Sequence, residues 1–236
     1  EIIVLDKKKR INKVLDYKSI CDNPNFKKTC VIGLGHIGLP LSIYLLKKFD
    51  NILGYDSNEK QIKNIYKRNL EFYEKNLESS LNFYLNKKKL EITYKKDEVS
   101  AETYIICVGS DLYNNKANNK NLIKIAKLLS KKIKKNDLII LRGTVQVGCS
   151  RNIFLKNLMS RTSLVCGKDF YFSYMPERNI EGNALEETEK IPQLVSGYSK
   201  NCLDRSINFV KNTFNNFIEL KSIEEGEMIK LLSNSY

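Results

Sequence analysis

A glycine triplet, Val31-Ile-Gly-Leu-Gly-His-Ile-Gly38, constrains this chain more than any other feature. It reads G-x-G-x-x-G directly after a short apolar strand, Cys30–Leu34. Directly behind it, Gly38–Phe49 carries apolar residues at helical spacing (Leu39, Ile43, Leu46). In a strand–turn–helix of this kind Gly33 permits the tight turn and Gly35 lets the backbone approach a pyrophosphate. Gly38 lets the helix pack closely on the strand. Free N–H groups and the positive end of the helix then favour phosphate.

The next strand, Ile52–Tyr55, leads into Asp56, 18 positions after Gly38. A carboxylate there accepts hydrogen bonds from ribose hydroxyls and repels the 2′-phosphate of NADP, so NAD is the expected cofactor. Gly33, Gly35, His36, Ile37, Gly38 and Asp56 are the expected cofactor contacts, and His36 is given no proton-transfer role. Two other readings stand beside this one: a glycine-rich turn that binds nothing, or a loop for another adenosine cofactor of the methyltransferase kind.

Downstream, strands and helices alternate. A helix is expected over Asn58–Arg68, a polar helical stretch over 71–88 and a strand at Leu90–Tyr94. Strand Thr103–Val108, helix Leu122–Ile133, strand Leu138–Arg142 and helix Ser150–Met159 follow, and a strand at Phe170–Tyr174 closes the run. The strands CVIGL, YIICV and LIIL are continuous apolar runs, as expected when helices cover both faces. This is the pattern of an α/β, doubly wound (Rossmann-type), mostly parallel sheet. The expected organisation is a polar leader over 1–28 with one short helix around 9–20, a dinucleotide-binding domain over 29–220, and the start of a further helix over 221–236.

At 236 residues the chain is long enough for one domain or two at about 150 each. Its net charge of +13 invites a nucleic-acid reading. The excess is lysine spread along the chain (KKKR at 7–10, KKK at 87–89), a solvated face rather than a groove, so no specific nucleic acid is expected. The best apolar stretch, Val31–Leu46, has only 16 residues and contains three glycines and Pro40, so no membrane span is expected. Glu1–Leu5 runs at once into basic residues, unlike a signal peptide, and the chain starts at Glu, as a trimmed piece would. Six scattered cysteines without a CxxC, and His36 as the only histidine, give no metal site. Three of those cysteines lie in apolar stretches and read as core residues of a reduced compartment, the cytoplasm.

Two later loops stand where such a fold places ligands, at the carboxyl ends of strands: Val108-Gly-Ser-Asp111 and Arg142-Gly-Thr-Val145. Val108 and Thr144 are candidate cofactor contacts, although plain turn chemistry would give the same residues. Pro176 sets a rigid turn that can aim Glu177 into the cleft, unless Glu177 and Arg178 are a surface pair. Near the end, Glu227, Lys230 and Asn234 share one helical face. An ordinary amphipathic helix would instead turn Met228, Leu231 and Leu232 inward.

Taken together, VIGLGHIGLP, GYD, GTVQVG, MPERNIEGNAL and EMIKLLSNSY, in that order from about residue 29 to 236, resemble the nucleotide-sugar dehydrogenases that oxidise UDP-glucose and UDP-N-acetylhexosamines. The Pro-Glu-Arg form is more similar to the N-acetylhexosamine branch. The resemblance implies a four-electron oxidation of a UDP-sugar C6 alcohol to a uronate with two NAD⁺, through a cysteine thiohemiacetal and thioester, and a place in surface-polysaccharide synthesis. Thr144 and Glu177 would position water and substrate. Lys230 would stabilise the developing oxyanion, and Asn234 would assist it. The family's nucleophilic cysteine, its UDP-gripping domain and the long helix that pairs subunits into a homodimer would all lie beyond Tyr236. This chain alone is therefore expected to bind NAD without turnover. Its end inside a helix, with no capping residue after it, is what a cut product would show. Val108-Gly-Ser-Asp111 departs from the family's usual Pro/Thr-containing turn. The rival readings are a hydroxyacid or polyol-phosphate dehydrogenase and a non-catalytic NAD-binding module.

Overall fold

The computed structural model describes residues 2–5, 11–15, 28–113 and 116–234. At the amino end, β1 (Ile2–Leu5) pairs antiparallel with β2 (Ile11–Leu15). This ribbon replaces the helix expected around 9–20, of which residues 9–10 and 16–20 lie outside the described residues. The β-branched residues Ile2, Ile3, Val4, Ile11 and Val14 favour extended backbone over helix.

The main sheet starts with β3 (Thr29–Ile32), α1 (Gly38–Leu45), β4 (Ile52–Tyr55), α2 (Glu59–Lys67), α3 (Leu77–Asn86) and β5 (Leu90–Thr93). It continues through β6 (Thr103–Ile106), a small antiparallel ribbon of β7 (Asp111–Tyr113) and β8 (Lys116–Asn118), α4 (Lys120–Leu129) and β9 (Leu138–Leu141). A π-helical turn, Ser150–Leu155, runs into α5 (Lys156–Met159), and β10 (Tyr171–Tyr174) follows. The helix expected over 71–88 occupies only α3, because Asn76 just ahead of it sits in the left-handed region at φ +62°.

The sheet does not close at β10. After α6 (Ala184–Lys190) it adds β11 (Gln193–Gly197), then α7 (Lys200–Thr213) and β12 (Phe217–Glu219), and α8 (Ile223–Ser233) follows. The order is β12-β11-β10-β9-β6-β3-β4-β5. β10 and β11 pair antiparallel and every other neighbouring pair is parallel. Alternate strand residues feed two cores: Ile32, Tyr104, Ile106, Leu141 and Phe172 on one face, Val31, Ile105, Leu138 and Ile140 on the other. Helices cover both, which is why these strands carry no polar alternation. The chain leaves β3 towards β4 and β5, then returns to place β6 on the other side of β3. That reversal opens a crevice at the carboxyl ends of β3 and β6.

Candidate active site

The glycine turn is built by contacts that exclude larger residues. Gly33 has φ +91°, and its N–H donates to the Tyr55 carbonyl at 2.8 Å. A Cβ on Gly38 would stand 1.8 Å from the Gly33 carbonyl oxygen, so the helix start lies directly on the turn. Gly35 is different: a Cβ there would meet nothing within 4 Å. The amino end of α1 has no side-chain cap and no acid in its first turn. An open face beside an uncapped helix amino end suits a pyrophosphate. His36 is exposed beside it and turns its ring edge to Phe72, and Ile37 is half-buried.

Asp56 closes the turn from the second strand. One carboxylate oxygen accepts the Leu34 N–H at 2.9 Å, and the other accepts the Asn58 N–H at 2.9 Å. Half-buried at the mouth, it keeps lone pairs for ribose hydroxyls. A cavity of about 940 Å³ opens here, lined by Gly33, Asp56, Tyr94, Val108, Ile125 and Leu128. Val108 lies over Gly33, where a Cβ would come within 2.7 Å of its side chain. The chain's own residues thus fit a dinucleotide, with phosphates at Gly35 and a ribose at Asp56.

The loops after β6 and β9 are packed back to back. Ser110 N–H donates to the Thr144 carbonyl at 2.8 Å, and a Cβ on Gly143 would come within 2.3 Å of the Val108 carbonyl oxygen. Thr144, half-buried, is therefore held next to the crevice.

Beyond it lies a buried charged cluster. Arg142, 1% exposed, donates to Glu177 at 2.7 Å and through both terminal nitrogens to Gln193 at 3.1 Å. The other Glu177 oxygen accepts the Arg178 and Asn179 N–H groups. Burial works to raise the Glu177 pKa, but the Arg142 charge and these hydrogen bonds prevail and hold it below the ordinary carboxylate range. Glu177 is thus no surface partner of Arg178, whose guanidinium donates to the Pro192 carbonyl at 2.7 Å.

On α8 the polar face is the buried one. Glu227 and Lys230 are inside, whereas Met228 and Leu232 are 46% and 53% exposed, the reverse of an ordinary amphipathic helix. Burial lowers the Lys230 pKa below that of an ordinary lysine. Glu177 opposes the shift, and Arg142 and Arg178 add to it. Glu227 accepts N–H groups from Gly148 and Ser150. Asn234 is exposed at the carboxyl cap of α8, where its N–H donates to the Lys230 carbonyl at 3.2 Å.

Gly33, Asp56 and Val108 therefore line one crevice, with Gly35 and Gly38 in the same turn, and Thr144 and Glu177 follow the carboxyl ends of β9 and β10, with Lys230 in electrostatic reach of Glu177. Arg142 and Gln193 complete the cluster, Glu227 ties α8 to the loop beyond Thr144, and sequence reasoning gave these three no role there. The Arg at a strand end next to a Gly-Thr turn was the available signal for the first. Among the described cysteines, burial pushes the thiol of Cys107 up to about 12 and that of Cys149 up to about 11, and raises Cys30 further. Cys202 alone is lowered, to about 6, chiefly by the hydrogen bond from Cys166, and it is fully buried. No group of three or more His, Cys, Asp or Glu among the described residues suits a metal ion, and no described helix is long and apolar enough to cross a membrane.

Comparison with known proteins shows the family to which this fold belongs. The UDP-N-acetyl-D-mannosamine dehydrogenase of Methanococcus maripaludis is 27% identical over 223 residues, 91% of this chain and 49% of its own length. That of Campylobacter jejuni is 28% identical over 219 residues, 89% of this chain and 53% of its own. The solved structure of UDP-D-ManNAc dehydrogenase from Pyrococcus horikoshii superposes with a TM-score of 0.82 at 25% identity, covering 88% of this chain and 50% of that one. The chain thus spans about half the length of the curated relatives it matches. The model of the UDP-glucose/GDP-mannose dehydrogenase family, NAD binding domain, matches residues 27–218, and the chain belongs to that family.

Proposed function

We propose that this chain is the NAD-binding portion of a nucleotide-sugar dehydrogenase whose whole-length form oxidises C6 of a UDP-N-acetylhexosamine to a uronate in two NAD-dependent steps. NAD, when bound, supplies the hydride acceptor. The glycine turn and the amino end of α1 (Gly33, Gly35, His36, Ile37, Gly38) hold its pyrophosphate, Asp56 its ribose, and Val108 and Thr144 flank it. Glu177 is ionised at neutral pH, so it serves as a fixed acceptor that orients water and substrate rather than as a base that takes their proton. Lys230 offers a partly desolvated cation to the developing oxyanion, a placement worth several kcal/mol in catalysis by analogy with other oxyanion sites, about 2.7–4. Asn234 assists it. The observation that carries this reading is the approach of a buried Arg142–Glu177 ion pair and Lys230 beside the NAD crevice.

The resemblance to nucleotide-sugar dehydrogenases implies that the thioester-forming cysteine belongs to the remainder of the whole-length protein. We place residues 221–236 at the start of the helix leading there, the working form as a homodimer in the reduced cytoplasm, and its product in surface-polysaccharide synthesis. Calorimetry on the 236-residue chain tests the cofactor half directly. NAD is expected to bind at least ~10-fold more tightly than NADP, a difference of about 1.4 kcal/mol. Equal affinities would refute the role of Asp56.

A further inference from the structure

We propose that Glu227 is a positioning residue that fixes where Lys230 stands at the site, an inference that rests on the reading of Lys230 as the oxyanion-stabilising cation. Glu227 is 0% exposed. One of its carboxylate oxygens accepts the Gly148 N–H at 2.6 Å and the other accepts the Ser150 N–H at 2.8 Å, across 79 and 77 residues of sequence. Ser150 opens the π-helical Ser150–Leu155 turn and Gly148 lies two residues ahead of it, in the loop that runs on from Thr144. The carboxylate therefore joins α8 to the cofactor side of the site.

A second contact seats the same end of α8. A Cβ on Gly226 would come within 3.0 Å of the Tyr174 ring, and the Tyr174 hydroxyl donates to the Gly143 carbonyl at 3.1 Å. Tyr174 thus touches the helix on one side and the Thr144 loop on the other. Lys230 follows Glu227 by three residues on the same face, about 4.5 Å along the axis. Its ammonium is within the electrostatic reach of Glu177, Arg142 and Arg178.

Packing alone does not call for a carboxylate here. An apolar side chain would fill the space without taking a charge out of water, but it would leave the Gly148 and Ser150 N–H groups without this acceptor. What the carboxylate adds is direction. It accepts from two fixed N–H donors in one register of helix against loop, and Lys230 moves with the helix. Misplacement of a reacting group by about 1 Å can cost ~10²-fold in rate, so holding this register bears directly on turnover.

The test uses Glu227→Gln, which keeps shape and loses charge, Glu227→Leu, which keeps burial alone, and Glu227→Asp, which keeps charge and pulls the helix by one methylene. In the whole-length enzyme all three are expected to lower kcat about 10- to 100-fold while KM for NAD stays within about twofold. In the 236-residue chain, the Lys230 resonance after ¹³C-dimethylation, assigned by its absence from Lys230→Ala, is expected to titrate closer to an ordinary lysine in each variant than in the parent. Should Gln and Leu fail to fold, Glu227→Asp alone decides by the same two readouts. Parent-like kcat together with parent-like Lys230 titration in the folded variants would overturn the proposal. A Lys230→Ala enzyme with undiminished kcat would instead overturn the catalytic reading of Lys230, and the titration would still judge whether Glu227 positions it.

Discussion

Asp137 enters β9 with its carboxylate buried, 3% exposed, and accepting the Lys134 N–H at 2.8 Å. Burial pushes its pKa up from 3.8 to about 6 in spite of that bond. Glu102 adds to the rise, and the Lys134 and Arg205 charges oppose it. An acid whose folded value exceeds its unfolded one holds its proton more tightly when folded, so its contribution to stability declines as pH climbs from about 4 through 6 and beyond. Asp137→Asn removes the buried charge and leaves an amide oxygen for the Lys134 N–H. It is expected to stabilise the fold by about 1–3 kcal/mol at pH 8, and by clearly less at pH 4.5, in thermal melts at the two values. Equal gains at both would refute the assignment. Glu177 carries the opposite sign: its depressed pKa contributes stability above the ordinary carboxylate range that is lost as pH falls below it. At this scale the sequence was informative where placement follows local spacing, as for Asp56, whose carboxylate closes the glycine turn. It was silent where partners are remote, because Arg142 finds Glu177 35 residues away and nothing in the local pattern announces the meeting.

The strand–turn–helix of β3 and α1 separates two demands that a glycine motif combines. A methyl group at Gly38 would collide with the Gly33 carbonyl, whereas one at Gly35 would project into open space. Gly38→Ala is therefore expected to destabilise the chain by about 1–3 kcal/mol through overpacking. Gly35→Ala should melt like the parent yet lose at least ~10-fold in NAD affinity by calorimetry, with 1.4 kcal/mol of lost contact sufficing. Normal NAD affinity in a folded Gly35→Ala protein would mean that the phosphates lie elsewhere. Continuous apolar runs made β3, β6 and β9 legible, since strands buried on both faces need no alternation. α7 was legible in principle, because Cys202, Ser206, Phe209, Val210 and Thr213 recur at helical spacing and are all buried. β11 was not, because Gln193 and Ser196 interrupt its apolar run for the sake of contacts with Arg142 and with Tyr174 of the neighbouring strand. At the amino end, β-branched residues signalled a ribbon, and lysine-rich surroundings drew the reading towards helix.

Across the whole molecule, charge and architecture divide the work. The net charge of +13 comes from lysines distributed along the sequence, whereas the cations that matter at the site, Arg142 and Lys230, are buried. Retention on immobilised duplex DNA is accordingly expected to be weak and sequence-independent, and lost by roughly 0.2 M salt. Sequence-selective binding that survives higher salt would contradict this. The doubly wound sheet was legible from the alternation of elements, and its antiparallel β11 was not, since strand direction depends on where α6 returns the chain. That return has a mechanical consequence. Arg142 grips Glu177 at one end of the 178–192 excursion and Gln193 at the other, so a single guanidinium draws both ends shut like a cinched cord. Changes of length or composition inside the loop therefore leave the knot in place, and the ends of β10 and β11 stay joined whatever lies between them.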